Sequence, residues 1–151
     1  MPLQDEIASI KKYLELEKLR FFFNYNIEIN STVSEAEIEI PSMLIQPFVE
    51  NAIIHGLIEK EGDKNIVIKF DVKEEGLLCI IEDNGVGIAK AKTKNSISLD
   101  RESFGLKLAK DRIKLINESY KTDAKIRIID VSELDNKKTG TRVEINLPLC
   151  Y

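Results

Sequence analysis

A chain of 151 residues, 43% hydrophobic and 32% charged, suits one domain able to bury a core without disulfides or metals. Its net charge of -4 and pI near 5.2 speak against a nucleic-acid-tracking surface, which needs a basic excess. Two cysteines without metal-site spacing, Cys79 and Cys150, fit a reducing cytosol, and the absence of a leader pattern or of a ~20-residue apolar stretch leaves the chain as given neither secreted nor membrane-spanning.

Leu3 to about Arg20 holds good helix formers without Gly or Pro, and Leu3, Ile7, Ile10 and Leu14 repeat with coiled-coil-like spacing. With fewer than three heptads, the reading is a helix lying on its own domain; a homodimer contact through it is the alternative. Asn24 to Asn30 alternates as a strand, and Ile38 and Ile40 predict a short extended piece before Pro41. A helix is predicted from about Ser42 to Lys60, with Leu44, Ile45, Phe48, Val49, Ala52, Ile53 and Leu57 on one broad face. Pro47 is tolerable only near its first turn, where a missing N–H costs little.

Two strands follow, Asn65 to Val72 and Leu77 to Glu82, joined by a short connection that predicts a hairpin. Ala89 to Glu102, rich in Lys, Ser and Asn, shows no apolar period and reads as a mobile lid candidate. Helical spacing returns from Phe104 to about Ser119, and two last strands, Lys125 to Val131 and Thr141 to Leu147, flank a polar loop. This order points to an α/β sandwich with one sheet face covered by helices.

Four segments carry chemistry. In Asp83-Asn84-Gly85-Val86-Gly87-Ile88, directly after an apolar strand, two glycines let backbone approach a ligand, and an Asp at the strand end can accept a hydrogen bond from an exocyclic amine such as that of adenine. The plainer alternative is a tight turn closed by an Asx hydrogen bond. In Pro47-Phe48-Val49-Glu50-Asn51-Ala52-Ile53-Ile54-His55-Gly56, Asn51 and His55 stand one turn apart and share a face. A helical His is more often structural and a helical Asn often merely solvated, yet an amide oxygen suits Mg²⁺, which takes few protein oxygens. Glu50 lies about 100° round the helix, toward the same cleft edge or toward solvent.

Ser103-Phe104-Gly105-Leu106-Lys107 reads as a helix start with Ser103 as N-cap, which is either an anion site or an ordinary capped helix. Gly140-Thr141-Arg142 opens a strand whose Thr hydroxyl could reach a base, though Thr is common in strands.

In order and spacing these segments resemble the ATPase domain of the GHKL superfamily, which groups gyrase-type topoisomerases, chaperone and mismatch-repair ATPases and histidine kinases. Among these the chain is most similar to LytS/YehU-type sensor histidine kinases, whose Pro-x-x-Glu-Asn-Ala-x-x-His-Gly box is matched by Pro47, Glu50, Asn51, Ala52, His55 and Gly56. Lys12 to Phe21 is similar to the end of that family's phosphoacceptor region. The resemblance implies a Bergerat-type α/β (α+β) two-layer sandwich, its mixed, mostly antiparallel sheet covered on one face by helices. It implies two parts: residues 1–21 as the end of the phosphoacceptor region and 22–151 as the ATP-binding domain.

It also implies roles: Asn51, Glu50 and His55 in catalysis, Asn51 holding Mg²⁺, and Asn51, His55, Asp83, Gly85, Gly87, Ile88, Gly105, Leu106 and Thr141 around ATP, with Asp83 on adenine. Lys90, Lys92, Lys94 and Arg101 are lid charges, read mainly as a solvated loop. The implied partners are the acceptor and dimerisation domain of the same kinase and a response regulator; the implied place is the cytoplasmic side of a kinase anchored in the bacterial inner membrane.

Two departures stand out. The family's Gly-x-Gly-Leu-x-Asn is Ser103-Phe104-Gly105-Leu106-Lys107-Leu108 here, and the acceptor motif is missing, since the one histidine is His55. The chain alone is therefore expected not to autophosphorylate. The competing readings are a degenerate pseudokinase module and a stand-alone ATPase or anti-sigma-type serine kinase; Pro47, where those relatives carry an acidic base, weighs against the last.

Overall fold

The computed structural model describes the backbone of residues 1–87 and 98–148, with side chains described for 1–87 and 109–148. Helix α1 (Leu3–Arg20) begins with acidic Asp5 and Glu6 and ends with basic Lys18 and Arg20, which complements the helix dipole. Its stripe of Leu3, Ile7, Ile10 and Leu14 is buried in the common core, where each side chain contributes roughly 1.5–3 kcal/mol before entropy is subtracted. The stripe therefore serves the domain's own packing. The chain then forms β1 (Asn24–Ser31), and Ile38 to Ile40 pairs with the N-terminus through a bridge between Pro2 and Glu39.

Helix α2 (Gln46–Asn51) starts four residues later than the apolar pattern predicts. Met43 is the reason: its φ of 59° lies in the left-handed region, which a helix cannot include. Pro47 falls in the first turn, where no N–H is needed. The cap comes from far away in sequence. Ile45 offers no side-chain acceptor; instead Glu6 of α1 accepts from the N–H groups of Ile45 at 2.9 Å and Gln46 at 3.1 Å.

From Ala52 to Leu57 the helix widens into a π-helical turn, in which the Ile58 N–H donates to the Ile53 carbonyl at 3.2 Å. Strands β2 (Asn65–Lys73) and β3 (Gly76–Asp83) form the expected antiparallel hairpin. Helix α3 spans Ser98–Tyr120, so the lid candidate is corrected at its C-terminal end, where Ser98 to Glu102 is helical; its earlier part, with Lys90, Lys92 and Lys94, lies outside the described residues, as do Ile88 and Cys150. Strands β4 (Lys125–Asp130) and β5 (Thr141–Pro148) complete the chain.

The five strands form one sheet in the order β1-β2-β3-β5-β4. Only β1 and β2 run parallel, and α2 lies in the crossover between them. Alternate residues of β2, β3 and β5, including Ile68, Phe70, Cys79, Ile81 and Ile145, join the helices' apolar residues in one core, as period-two alternation requires for a sheet with one covered face. Among the described residues no helix is long and apolar enough to cross a membrane.

Candidate functional site

At the C-terminal end of β3 the core strand ends in a carboxylate. Asp83 is 4% exposed, and its Oδ1 accepts from the N–H of Gly85 at 2.8 Å and of Thr141 at 3.3 Å. The first bond is the Asx turn weighed above; the second ties the turn to β5. No hydrogen bond from the described residues reaches Oδ2. Burial pushes the Asp83 carboxyl up to about 6, helped by the charges of Glu82 and Asp130 and opposed by the two N–H donors. An oxygen of a buried carboxylate to which no described residue donates is suited to a ligand N–H.

Two glycines explain how backbone closes around this group. A Cβ on Gly85 would stand 2.0 Å from the Gly56 carbonyl oxygen, the same oxygen that accepts from the Val86 N–H at 3.2 Å. Gly140, at φ 133°, packs against the Asp83 carbonyl. The end of the π-helical turn, the β3 turn and the start of β5 thus meet at Asp83. Gly56 itself touches the carboxylate: a Cβ there would lie 2.8 Å from Oδ1. Asn84 locks the turn from the outer side, accepting from the Asn65 N–H at 2.7 Å and donating to the Asp63 carbonyl at 2.9 Å.

Asp83, Gly85, Gly87 and Thr141 are therefore brought together, Gly87 lying near Asp130 and Gly140. Asn51 and His55 are exposed on the helix that leads into Gly56, with no hydrogen bond to Asp83. Glu50 is half-buried, and its Oε1 accepts from Nε2 of Gln46, one turn back on the same helix, at 3.3 Å. One expectation is corrected. Ser103 to Lys107 lie inside α3, whose first residue is Ser98, so Ser103 is not the N-cap of that helix. The side chains of Arg101, Ser103, Leu106 and Leu108, and the surroundings of Gly105, lie outside the described residues.

Sequence reasoning named Gly56 and Gly140 within its segments but gave them no role at the site, and it did not single out Asp130. Gly56 and Gly140 were visible as glycines flanking conspicuous segments; Asp130, 9% exposed and accepting from Ser132 at 2.6 and 3.0 Å, had no local signal.

Comparison with known proteins bears on the fold and the family. A protein uncharacterised in Bacillus subtilis (strain 168), YwpD, is 35% identical over 112 residues, covering 72% of this chain and 40% of that protein. The sensor histidine kinase/phosphatase LytS of Staphylococcus aureus is 35% identical over 92 residues, covering 60% of this chain and 16% of its own length. The chain thus spans less than half the length of these relatives. Among solved structures, the histidine kinase domain of the Erythrobacter litoralis EL346 blue-light activated histidine kinase superposes with a TM-score of 0.64 at 16% identity, over 99% of this chain and 62% of that one. The catalytic domain of the histidine kinase ThkA gives 0.62 at 19% identity, over 98% and 92%. Both share the mixed five-stranded sheet with helices. The family model described as histidine kinase-, DNA gyrase B-, and HSP90-like ATPase matches residues 37–150, and this chain belongs to that family.

Proposed function

We propose that the chain is the ATP·Mg²⁺-binding catalytic part of a two-component sensor histidine kinase, which gives the γ-phosphate of ATP to a histidine on an acceptor and dimerisation domain of the same kinase, for onward transfer to a response regulator. The observation that carries the reading is the Asp83 carboxylate, fixed through Oδ1 by Gly85 and Thr141 and left with Oδ2 for the exocyclic amine of adenine. Membrane anchoring of the whole kinase belongs to the same proposal.

In this reading the base enters over Gly85, Gly87 and Thr141, and the phosphates extend toward Asn51 and His55, with Ile88, Gly105 and Leu106 contributing to the pocket. The exposed Asn51 amide offers a hard oxygen of the kind Mg²⁺ takes. Bound Mg²⁺ supplies neutralisation of phosphate charge. The chain's own residues position the nucleotide; none offers a covalent intermediate, and transfer rests on placement and charge.

Titrating labelled ATP and GTP with and without Mg²⁺ tests this. We expect saturable, magnesium-enhanced ATP binding and weaker GTP binding, because guanine presents a carbonyl where adenine has its amine. Absence of saturable binding would favour a degenerate, non-catalytic module.

A further inference from the structure

The face of α1 that meets α2 carries a polar seam beside its apolar stripe. Three of its members, Glu6, Ser9 and Tyr13, lie on successive turns. Glu6 caps α2. The half-buried Ser9 donates its hydroxyl hydrogen to Gln46 Oε1 at 2.7 Å, and Gln46 Nε2 donates to Glu50 Oε1 at 3.3 Å. Tyr13 senses the end of this chain: its phenol is pushed up to about 12, first by burial and then by the charges of Glu17 and Glu50. The direction of the chain is set by chemistry. An ionised carboxylate only accepts, so the Gln46 amide must turn its NH₂ to Glu50 and its oxygen to the Ser9 hydroxyl.

We propose that Gln46, held from α1 by Ser9, is a positioning residue for the Glu50 carboxylate at the phosphate end of the nucleotide site. Glu50 adjoins Asn51 in sequence, and a glutamate on a helix surface otherwise wanders among many rotamers. The bond from Gln46 confines it to the side next to α1, so the seating of α1 determines where this negative charge stands relative to the metal and phosphates. This role rests on the nucleotide reading given above.

The test is a set of ATP titrations of the 151-residue chain with and without Mg²⁺, reading the gain in affinity that Mg²⁺ brings, with thermal midpoints recorded alongside. Gln46→Met keeps the side-chain volume and removes the donor; Gln46→Glu keeps the acceptor for Ser9 and sets a like charge against Glu50. Each is expected to lower the magnesium gain about three- to tenfold, the range of one net hydrogen bond. Glu50→Gln is expected to do the same, and Gln46→Met to add nothing to it. A Gln46→Met chain that shifts the midpoint but keeps the full magnesium gain overturns the proposal, as does full additivity with Glu50→Gln. Should Gln46→Met fail to fold, Ser9→Ala reads the same quantity: a lowered gain supports the role and an unchanged one overturns it. Undiminished ATP affinity in Asp83→Asn, or no saturable binding by the unsubstituted chain, would instead sink the nucleotide reading, and the positioning role with it.

Discussion

Gly140 crosses the end of β3 so closely that a side-chain carbon on it would stand 1.9 Å from the Asp83 carbonyl oxygen. Backbone here fills the space that any other residue's Cβ needs, and the φ of 133° strains an L side chain further. Gly140→Ala is expected to cost about 2 kcal/mol or more, lowering the thermal midpoint by roughly 4–8 °C in a domain of this size. A midpoint within a degree of the parent chain would contradict the close packing of β5 on Asp83.

Asp83→Asn separates stability from binding. The folded-state value near 6 against an ordinary 3.8 means that burial penalises the ionised form, by about 3 kcal/mol at neutral pH if taken in full. Asparagine retains an oxygen for Gly85 and Thr141 and carries no charge. We expect the variant to unfold at higher urea than the parent at pH 7.5, by about 1–3 kcal/mol, while its ATP affinity falls about ten- to a hundredfold, as for a lost bond to a charged acceptor. A variant that is destabilised, or binds ATP normally, would refute the assignment.

The same group sets a pH dependence. A carboxyl whose folded value is raised contributes stability that is fully present below about 3.8 and is lost as pH rises through about 6. Glu6, also raised chiefly by burial, acts in the same direction. Nucleotide affinity should run the other way, since protonated Asp83 is a poorer acceptor: it is expected to drop as pH falls through about 6, measured by calorimetry. In Asp83→Asn only the slope from the titration of the nucleotide's own terminal phosphate should remain.

Glu6→Ala leaves the first N–H groups of α2 without their acceptor. Those donors sit at a buried helix end, so the loss should be about 1–3 kcal/mol. Glu6→Gln keeps an acceptor oxygen and sheds the buried charge, so denaturant midpoints should rank it well above the alanine variant.

Asn51→Ala should remove the benefit that Mg²⁺ brings to ATP binding and leave circular dichroism unchanged, because Asn51 is exposed and alanine is the best helix former. Normal magnesium dependence in this variant would take Asn51 out of the site.

The elements that rest on periodicity were legible from the letters alone. Alternation in Ile66, Ile68 and Phe70 and in Leu77, Cys79 and Ile81 marks both arms of the β2–β3 hairpin, and the Leu3, Ile7, Ile10, Leu14 stripe marks α1 as packed on its own domain. Features decided by distant partners were not. The start of α2 depends on the left-handed turn at Met43 and on a carboxylate from α1; apolar spacing reports neither. Ser103 has the chemistry of a cap but sits inside α3, because Ser98 to Glu102 adopts helix in spite of its polar composition. In the site, Asp83 and Gly85 are neighbours in sequence, whereas the contact of Asp83 with Gly140 and Thr141 follows from β5 lying beside β3, an adjacency that no local motif encodes.

The lone parallel pairing, in which Asn24 finds Asn65 and Ser31 finds Val72, has a kinetic consequence. The β2–β3 hairpin can zip from its own tight turn, but β1 gains its partner only after the intervening crossover has collapsed, which delays non-local contacts through loop-closure entropy. During that interval the flank of β2 is an unsatisfied edge next to Ile66, Ile68 and Phe70, so the first strand serves as a late-arriving shield against intermolecular sticking while the protein matures.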